Sequence, residues 1–237
     1  MTLSIVLGIC CYVFLAIDHF LRLSGSVNLA VVFKGIASLC FLSLAIYSFV
    51  TCKKKSDAFR RLSVFVLTGI FLAFVADIVL EINFVFGFVL FVFAQFFYFF
   101  AFIGYGKLKP RFFIISAAII ITLIIFDVAS PFFNFEKDGE SLFLPSVVYM
   151  ISLTIVVVQG FECFGYKDIR AKLMPIGTLL FALSDLLLET YVFPSGIIPK
   201  NLAEVIFIFS NFMYYTGQLF VAFSLSKDYF YSSPFQQ

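Results

Sequence analysis

Eight long apolar runs divide the chain, and no other feature of the sequence limits its fold so strongly. They cover roughly residues 2–21, 27–51, 62–80, 83–104, 111–129, 143–161, 173–193 and 202–225. The hydrocarbon core of a bilayer is about 30 Å thick, so a helix needs about 20 mostly apolar residues to cross it. The runs are too long and too uniformly apolar for the alternating strands of a membrane β-barrel. The sequence therefore predicts an all-α, polytopic membrane protein with eight transmembrane helices.

The overall composition agrees with this interpretation. Of the 237 residues, 62% are hydrophobic and only 13% are charged. A soluble domain of this size cannot bury so much apolar surface. No soluble domain fits between the runs, so residues 1–237 are predicted to form a single transmembrane domain. The first run lacks a basic leader and an obvious small-residue cleavage site, and it is predicted to remain as a helix of the mature protein.

Basic residues in the connections predict the orientation of the bundle, because short cytoplasmic loops carry an excess of Lys and Arg. Most of them fall on one side of the predicted bundle: Lys53, Lys54, Lys55, Arg60, Arg61, Lys107, Lys109, Arg111, Lys167, Arg170, Lys172 and Lys227. The other side has fewer basic residues and an acidic cluster: Arg22, Lys137 and Lys200, with Glu136, Asp138 and Glu140. Both termini are therefore predicted to be cytoplasmic. Topology explains the basic residues, so the net charge of +2 gives no reason to expect a nucleic-acid partner.

The cysteines and the single histidine give little support for a metal site. Cys10, Cys11, Cys40, Cys52 and Cys163 show no ligand spacing, and most of them fall within predicted spans. Small buried hydrophobic residues are the expected role for such cysteines. With His19 as the only histidine, we predict neither a metal ion nor a cofactor.

Two carboxylates, Asp77 and Asp185, lie inside apolar runs within similar stretches. Residues 69–81 and 177–189 both follow the pattern G-x7-D-x-x-L-E, and the two aspartates are separated by 108 positions, close to half of the chain. Each half contains four predicted spans, so the halves would share one orientation, as in parallel transporter repeats. A 4+4 repeat with halves 1–108 and 109–237 is one hypothesis, and chance similarity between leucine-rich spans is the alternative.

Other polar residues lie at depths comparable to those of the two aspartates. At about 1.5 Å per residue, Asp77 and Lys34 lie about 22–26 Å from the cytoplasmic end of their spans, and Asp185, Tyr149 and Tyr214 about 15–20 Å. Each intramembrane charge costs about 2.5–3.5 kcal/mol on insertion scales. Three charges at similar depth therefore predict a shared polar pocket. The alternative is a purely structural ion pair between Lys34 and one aspartate.

Amide and phenol groups on the fourth and eighth spans extend this set. Gln95 and Tyr98 are three residues apart on the fourth span, and Tyr214, Tyr215 and Gln218 show similar spacing on the eighth. Such residues share a helix face. They are candidates to orient a polar ligand, although tyrosine also serves as packing in membrane helices.

From Lys34 to the end of the eighth span, the chain resembles the YhhN family of membrane proteins, whose vertebrate members include lysoplasmalogenases. The matching elements are Lys34, Asp77, the stretch FVFAQFFYFFAF, Tyr149, the pair Ser184-Asp185, and Tyr214, Tyr215 and Gln218 in the last span. Three positions depart from the family pattern. Gly35 replaces Pro, Ala76 replaces Gly, and Gln95 stands where an Ala-His pair is common. The missing histidine implies a different proton carrier or a different substrate.

The resemblance implies a hydrolase that cleaves the vinyl ether bond of lysoplasmalogens, single-chain membrane lipids, and releases a fatty aldehyde and a glycerophospho-amine. A vinyl ether is stable to base and is cleaved by acid, and burial favours a carboxyl group that stays protonated at neutral pH. Asp77 and Asp185 are the catalytic candidates, with the roles of acid and ionised partner left open. The candidates for binding the substrate are Lys34, Gln95, Tyr98, Tyr149, Ser184, Tyr214, Tyr215 and Gln218. Lys34 would hold the lipid phosphate or keep one aspartate ionised.

A proton-coupled transporter or lipid carrier is the alternative, because intramembrane Asp and Lys in parallel repeats also mark transport paths. Discontinuous helices are typical of such transporters. The prolines argue against them, because Pro110, Pro131, Pro145, Pro175, Pro194 and Pro199 are all predicted at span ends or in loops. The sequence does not predict the oligomeric state.

Overall fold

The structure is a computed structural model that describes residues 2–53, 55–105, 109–130, 134–137, 140–166, 168–193 and 197–228. Within these ranges, eight helices are long and apolar enough to cross a membrane. They are α1 (Thr2–Leu23), α2 (Val27–Thr51), α3 (Asp57–Ile82), α4 (Phe84–Tyr105), α5 (Pro110–Ala129), α6 (Phe143–Gly160), α7 (Ile169–Val192) and α8 (Lys200–Ser224). The protein is thus an all-α, multi-pass membrane protein, as predicted.

Short elements complete the connections between the helices. Two-residue strands β1 (Glu136–Lys137) and β2 (Glu140–Ser141) pair antiparallel between α5 and α6. A 3-10 turn, Phe161–Gly165, follows α6. Of the residues used to predict the orientation, Lys54, Lys107, Asp138 and Lys167 lie outside the described residues, and the orientation itself stays a prediction.

Side-chain caps start two helices earlier than hydropathy predicts. The Ser56 hydroxyl accepts a hydrogen bond from the Phe59 N–H at 3.2 Å, and α3 begins at Asp57. Asp168 accepts from the Arg170 N–H at 3.0 Å, and α7 begins at the next residue. Such caps satisfy backbone N–H groups that have no partner in the first turn, so the helices extend into their polar flanks.

The early start of α7 corrects one prediction. Pro175 was expected at the end of a span, but it lies inside α7, in the second turn. Proline has no N–H, so it removes one hydrogen bond between successive turns. The helix is continuous past this residue, and the Thr178 hydroxyl donates to the Pro175 carbonyl at 3.1 Å.

Glycines bring pairs of helices into close contact. A Cβ atom on Gly69 of α3 would lie 2.6 Å from the Tyr98 ring of α4. On α7, a Cβ atom on Gly177 would lie 2.5 Å from the carbonyl oxygen of Gly217 on α8. A Cβ atom on Gly217 would likewise lie 2.5 Å from the carbonyl oxygen of Gly177. Only glycine permits backbones to approach this closely. The two Gly positions of the shared sequence pattern therefore pack α3 on α4 and α7 on α8.

Other helix contacts also occur in corresponding pairs. Helix α2 contacts α1, α3 and α8, and α6 contacts α5, α7 and α4. Two equivalent four-helix halves would pack in this way, but the duplication itself and the boundary between the halves stay predictions. Helices α1 and α5 are the least buried, so the core lies among the other six.

Candidate functional site

Asp77 lies in the core and receives hydrogen bonds from two neighbouring helices. The residue, on α3, is 3% exposed. Oδ2 accepts from the Ser38 hydroxyl of α2 at 2.5 Å and from the Tyr214 hydroxyl of α8 at 3.0 Å. Behind Ser38, the Tyr215 hydroxyl lies 2.9 Å from the serine oxygen and 3.3 Å from the Lys34 carbonyl. Two hydroxyl groups thus converge on one carboxyl oxygen.

Asp185 lies on α7 and has a different set of partners. The Tyr149 hydroxyl of α6 donates to its Oδ2. The Ser184 hydroxyl lies 3.2 Å from Oδ1 and 2.6 Å from the carbonyl oxygen of Phe181. Each aspartate therefore contacts one tyrosine hydroxyl and one serine hydroxyl, although the partners come from different helices.

Asp77 and Asp185 border the same cavity, which has a volume of about 40 Å³. We call it the aspartate cavity; Lys34, Ser184 and Tyr214 also line it. Tyr149 reaches it through Asp185 and lines an adjoining cavity of about 50 Å³. Four of the five residues that were predicted to share a pocket therefore line the aspartate cavity, and the fifth, Tyr149, contacts it only through Asp185. Their roles stay predictions.

Lys34 forms its ion pair with a residue that sequence reasoning missed. Its Nζ lies 2.7 Å from Oε1 of Glu81, and Nη2 of Arg22 lies 2.8 Å from the same oxygen. Arg22 also contacts Asp18 at 2.9 Å through Nε. The described ion pair of Lys34 is therefore not with either aspartate. The Glu of the shared sequence pattern was the one signal that pointed to Glu81.

Helices α2 to α8, which carry both aspartates, lie almost wholly within residues 29–225, and this range matches the model of the YhhN family. The chain belongs to the YhhN family. The match confirms the family predicted from the lysine, aspartate and tyrosine positions. No curated protein and no solved structure matches the chain.

Three polar residues predicted as ligand contacts lie away from the aspartate cavity of this YhhN protein. The Tyr98 hydroxyl donates to Oε1 of Gln218 at 3.0 Å, and both side chains are buried. Gln95 is fully buried, and its amide has no hydrogen-bond partner among the described residues. It lines a separate cavity of about 360 Å³ between α4, α5 and α6. A ligand role for these three side chains stays a prediction.

Metal-binding groups are not clustered in the described part of this YhhN chain. No three or more His, Cys, Asp or Glu side chains are placed there to hold a metal ion. The Cys11 thiol donates to the Ala37 carbonyl at 3.4 Å. The expectation that the protein uses no metal or cofactor stays a prediction.

Proposed function

We propose that this YhhN protein hydrolyses the vinyl ether bond of a lysoplasmalogen by acid catalysis from Asp77 and Asp185. The observation that carries the proposal is the pair of intramembrane carboxyl groups on one cavity, each next to a tyrosine hydroxyl. A single-chain lipid explains why the acids lie within a membrane, because its tail is soluble there. The reacting bond adjoins that tail and can enter the cavity.

The reaction needs one acid, one ionised partner and one water. The acid gives its proton to the alkene carbon farther from the ether oxygen, and a C–H bond forms while the C=C electrons leave an oxocarbenium ion. Water adds to that ion and returns a proton to the carboxylate, which gives a hemiacetal. The hemiacetal then loses the glycerol oxygen, which takes the remaining hydroxyl proton, and a fatty aldehyde is released. The ionised carboxylate stabilises the cation, as in glycosidases with paired acids.

The charged neighbours support different roles for the two aspartates. Each aspartate accepts hydrogen bonds from one tyrosine and one serine hydroxyl, so these contacts do not distinguish the two carboxyl groups. The Lys34 ammonium interacts electrostatically with Asp77, and a nearby cation favours the ionised form of a carboxyl group. We therefore assign Asp185 as the acid and Asp77 as the ionised partner.

The test is aldehyde release by the purified full-length protein. Wild-type protein should release aldehyde from lysoplasmalogen but leave an ester-linked lysolipid intact, and turnover should slow in D₂O if proton transfer to carbon limits the rate. Asp77→Asn and Asp185→Asn should each reduce turnover by about 10²-fold or more, the usual scale for a general acid. Asp57→Asn is the control, because Asp57 is an exposed residue at the start of the same helix as Asp77. Folded Asn variants with near wild-type turnover would refute the proposal.

One observation favours the transporter as a second candidate. The charged side chains of Asp18, Arg22, Glu81 and Lys34 form a continuous chain from the end of α1 to the aspartate cavity. Such chains of intramembrane charge also occur along proton and ion paths. The transporter replaces the hydrolase if wild-type protein releases no aldehyde while Asp77→Asn abolishes uptake of a solute into vesicles.

A further inference from the structure

The cavity of about 50 Å³ beside the aspartate cavity has walls made largely of aromatic rings. Phe84, Phe88 and Phe91 come from α4, Tyr149 from α6, and Phe193 follows α7. The ring centroids of Phe88 and Tyr149 are 4.5 Å apart, and that of Phe84 lies 5.5 Å from Phe88 and 6.3 Å from Phe193. We call this space the aromatic cavity. Phe91 and Asp185 line both cavities, so the two adjoin.

Two carboxyl groups, those of Asp185 and Glu189, also line the aromatic cavity. They are four residues apart on α7 and therefore lie on one helix face. Asp127 of α5 is close enough to interact with Glu189 electrostatically. Within the described ranges, no Lys, Arg or His forms an ion pair with any of these three acids. The described intramembrane cations, Lys34 and Arg22, contact Glu81 instead.

These features together fit a positively charged ligand. The faces of aromatic rings attract cations, and ammonium groups are commonly recognised by several rings around the charge. A carboxylate in a membrane needs an opposite charge nearby, because an isolated one is costly there. A cavity needs a volume of about 10–15 Å³ to hold one water molecule. The aromatic cavity, at about 50 Å³, therefore has room for a compact ammonium group.

We propose that the aromatic cavity binds the ammonium of the lipid head group, with Glu189 as its counter-charge. This inference rests on the proposed function, because the head group belongs to the lipid whose vinyl ether bond reaches Asp185. Glu189 lies one turn, about 6 Å, closer to the end of α7 than Asp185. The ammonium would therefore lie nearer the membrane surface than the reacting bond, as a head group must.

Binding of non-hydrolysable lipids to the full-length protein in nanodiscs tests the proposal. The probes are a single-chain alkyl-ether phosphocholine and the matching phosphoglycerol, which has the same chain and phosphate but no ammonium. Wild-type protein should bind the phosphocholine about tenfold more tightly. Glu189→Gln is nearly isosteric and should remove that preference. Glu204→Gln is the control, because the Glu204 side chain is partly exposed and outside both cavities.

A second variant keeps the test valid if Glu189→Gln does not fold. Phe88→Leu removes a ring face but keeps an apolar side chain, and it should weaken phosphocholine binding while phosphoglycerol binding stays unchanged. Equal affinity of wild-type protein for both probes, or a preference that survives both substitutions, would overturn the ammonium site. The probes cannot be cleaved, so this result is independent of aldehyde release. If wild-type protein prefers the phosphocholine but hydrolyses no lysoplasmalogen, the ammonium site is supported and the hydrolase is refuted. If it hydrolyses lysoplasmalogen but binds both probes equally, the hydrolase is supported and the ammonium site is refuted.

Discussion

Replacement of Glu81 should destabilise the bundle more than replacement of Lys34, because Glu81 contacts two cations. Its Oε1 lies 2.7 Å from Nζ of Lys34 and 2.8 Å from Nη2 of Arg22. The side chains of Lys34, Glu81 and Arg22 are 9%, 17% and 21% exposed, so solvent screens these contacts only weakly. In Lys34→Met, Glu81 keeps Arg22, and the loss is one charged hydrogen bond, about 1.5–3 kcal/mol. In Glu81→Gln, Lys34 loses its anionic partner, which costs about 3–5 kcal/mol.

SDS titration in mixed micelles measures the free energy of unfolding and therefore tests the losses expected for Lys34→Met and Glu81→Gln. The double variant should cost less than the sum of the single variants, because removal of the Lys34 charge relieves the unpaired cation left by Glu81→Gln. Glu204→Gln is the control, since its partner Lys200 is 89% exposed and 4.0 Å away, and it should leave stability unchanged. The reasoning fails if Glu81→Gln lowers the free energy of unfolding no more than Lys34→Met does, or if the two losses are additive. Lys34, Glu81 and Arg22 would then not act as a buried ion network.

Three further predictions concern packing, orientation and pH. A Cβ atom on Gly177 would lie 2.5 Å from the backbone oxygen of Gly217, so Gly177→Ala should cost about 1–3 kcal/mol of unfolding free energy, whereas Gly104→Ala, with nothing within 4 Å, should cost none. Reporter fusions in the α2–α3 and α5–α6 connections should give opposite signals, and matching signals would contradict the predicted topology. Partial burial opposes ionisation of Asp168, but hydrogen bonds from Lys227 and the Arg170 N–H outweigh it and lower its pKa. Asp168→Asn should therefore reduce the thermal midpoint at pH 7, and the difference from wild type should shrink as the pH falls below about 3.9, the ordinary pKa of Asp, and vanish below the lowered pKa of the folded protein.

The number and limits of the spans could be predicted closely from the sequence, because a membrane helix satisfies its backbone hydrogen bonds within one segment. Local composition therefore decides where such a helix forms. The errors lie at helix ends, where Ser56 and Asp168 extend α3 and α7 through side-chain caps. Hydropathy does not detect a cap made by a single polar side chain. Pro175 was misplaced for the same reason, since the cap at Asp168 starts α7 ahead of it.

Part of the candidate site could also be predicted, because charge inside a membrane is costly enough to force polar side chains together. That cost predicted that Lys34, Asp77 and Asp185 would share a pocket, and all three line the aspartate cavity. The same cost does not distinguish polar side chains that line the cavity from polar side chains that form hydrogen bonds with each other elsewhere. Tyr98 and Gln218 satisfy each other away from the cavity.

The partner of each charge was decided only by the tertiary structure. Asp77 and Glu81 are one turn apart on α3, and their side chains lie on the same face about 6 Å apart along the axis. Which of them Lys34 reaches depends on how far α2 is displaced along α3 and on where Arg22 of α1 lies. Composition and periodicity place a residue on its own helix, but the axial offset and rotation between helices arise from packing across distant segments. Close contacts such as Gly177 on Gly217 set those offsets, and a change of a few ångströms in them would exchange one ion pair for another.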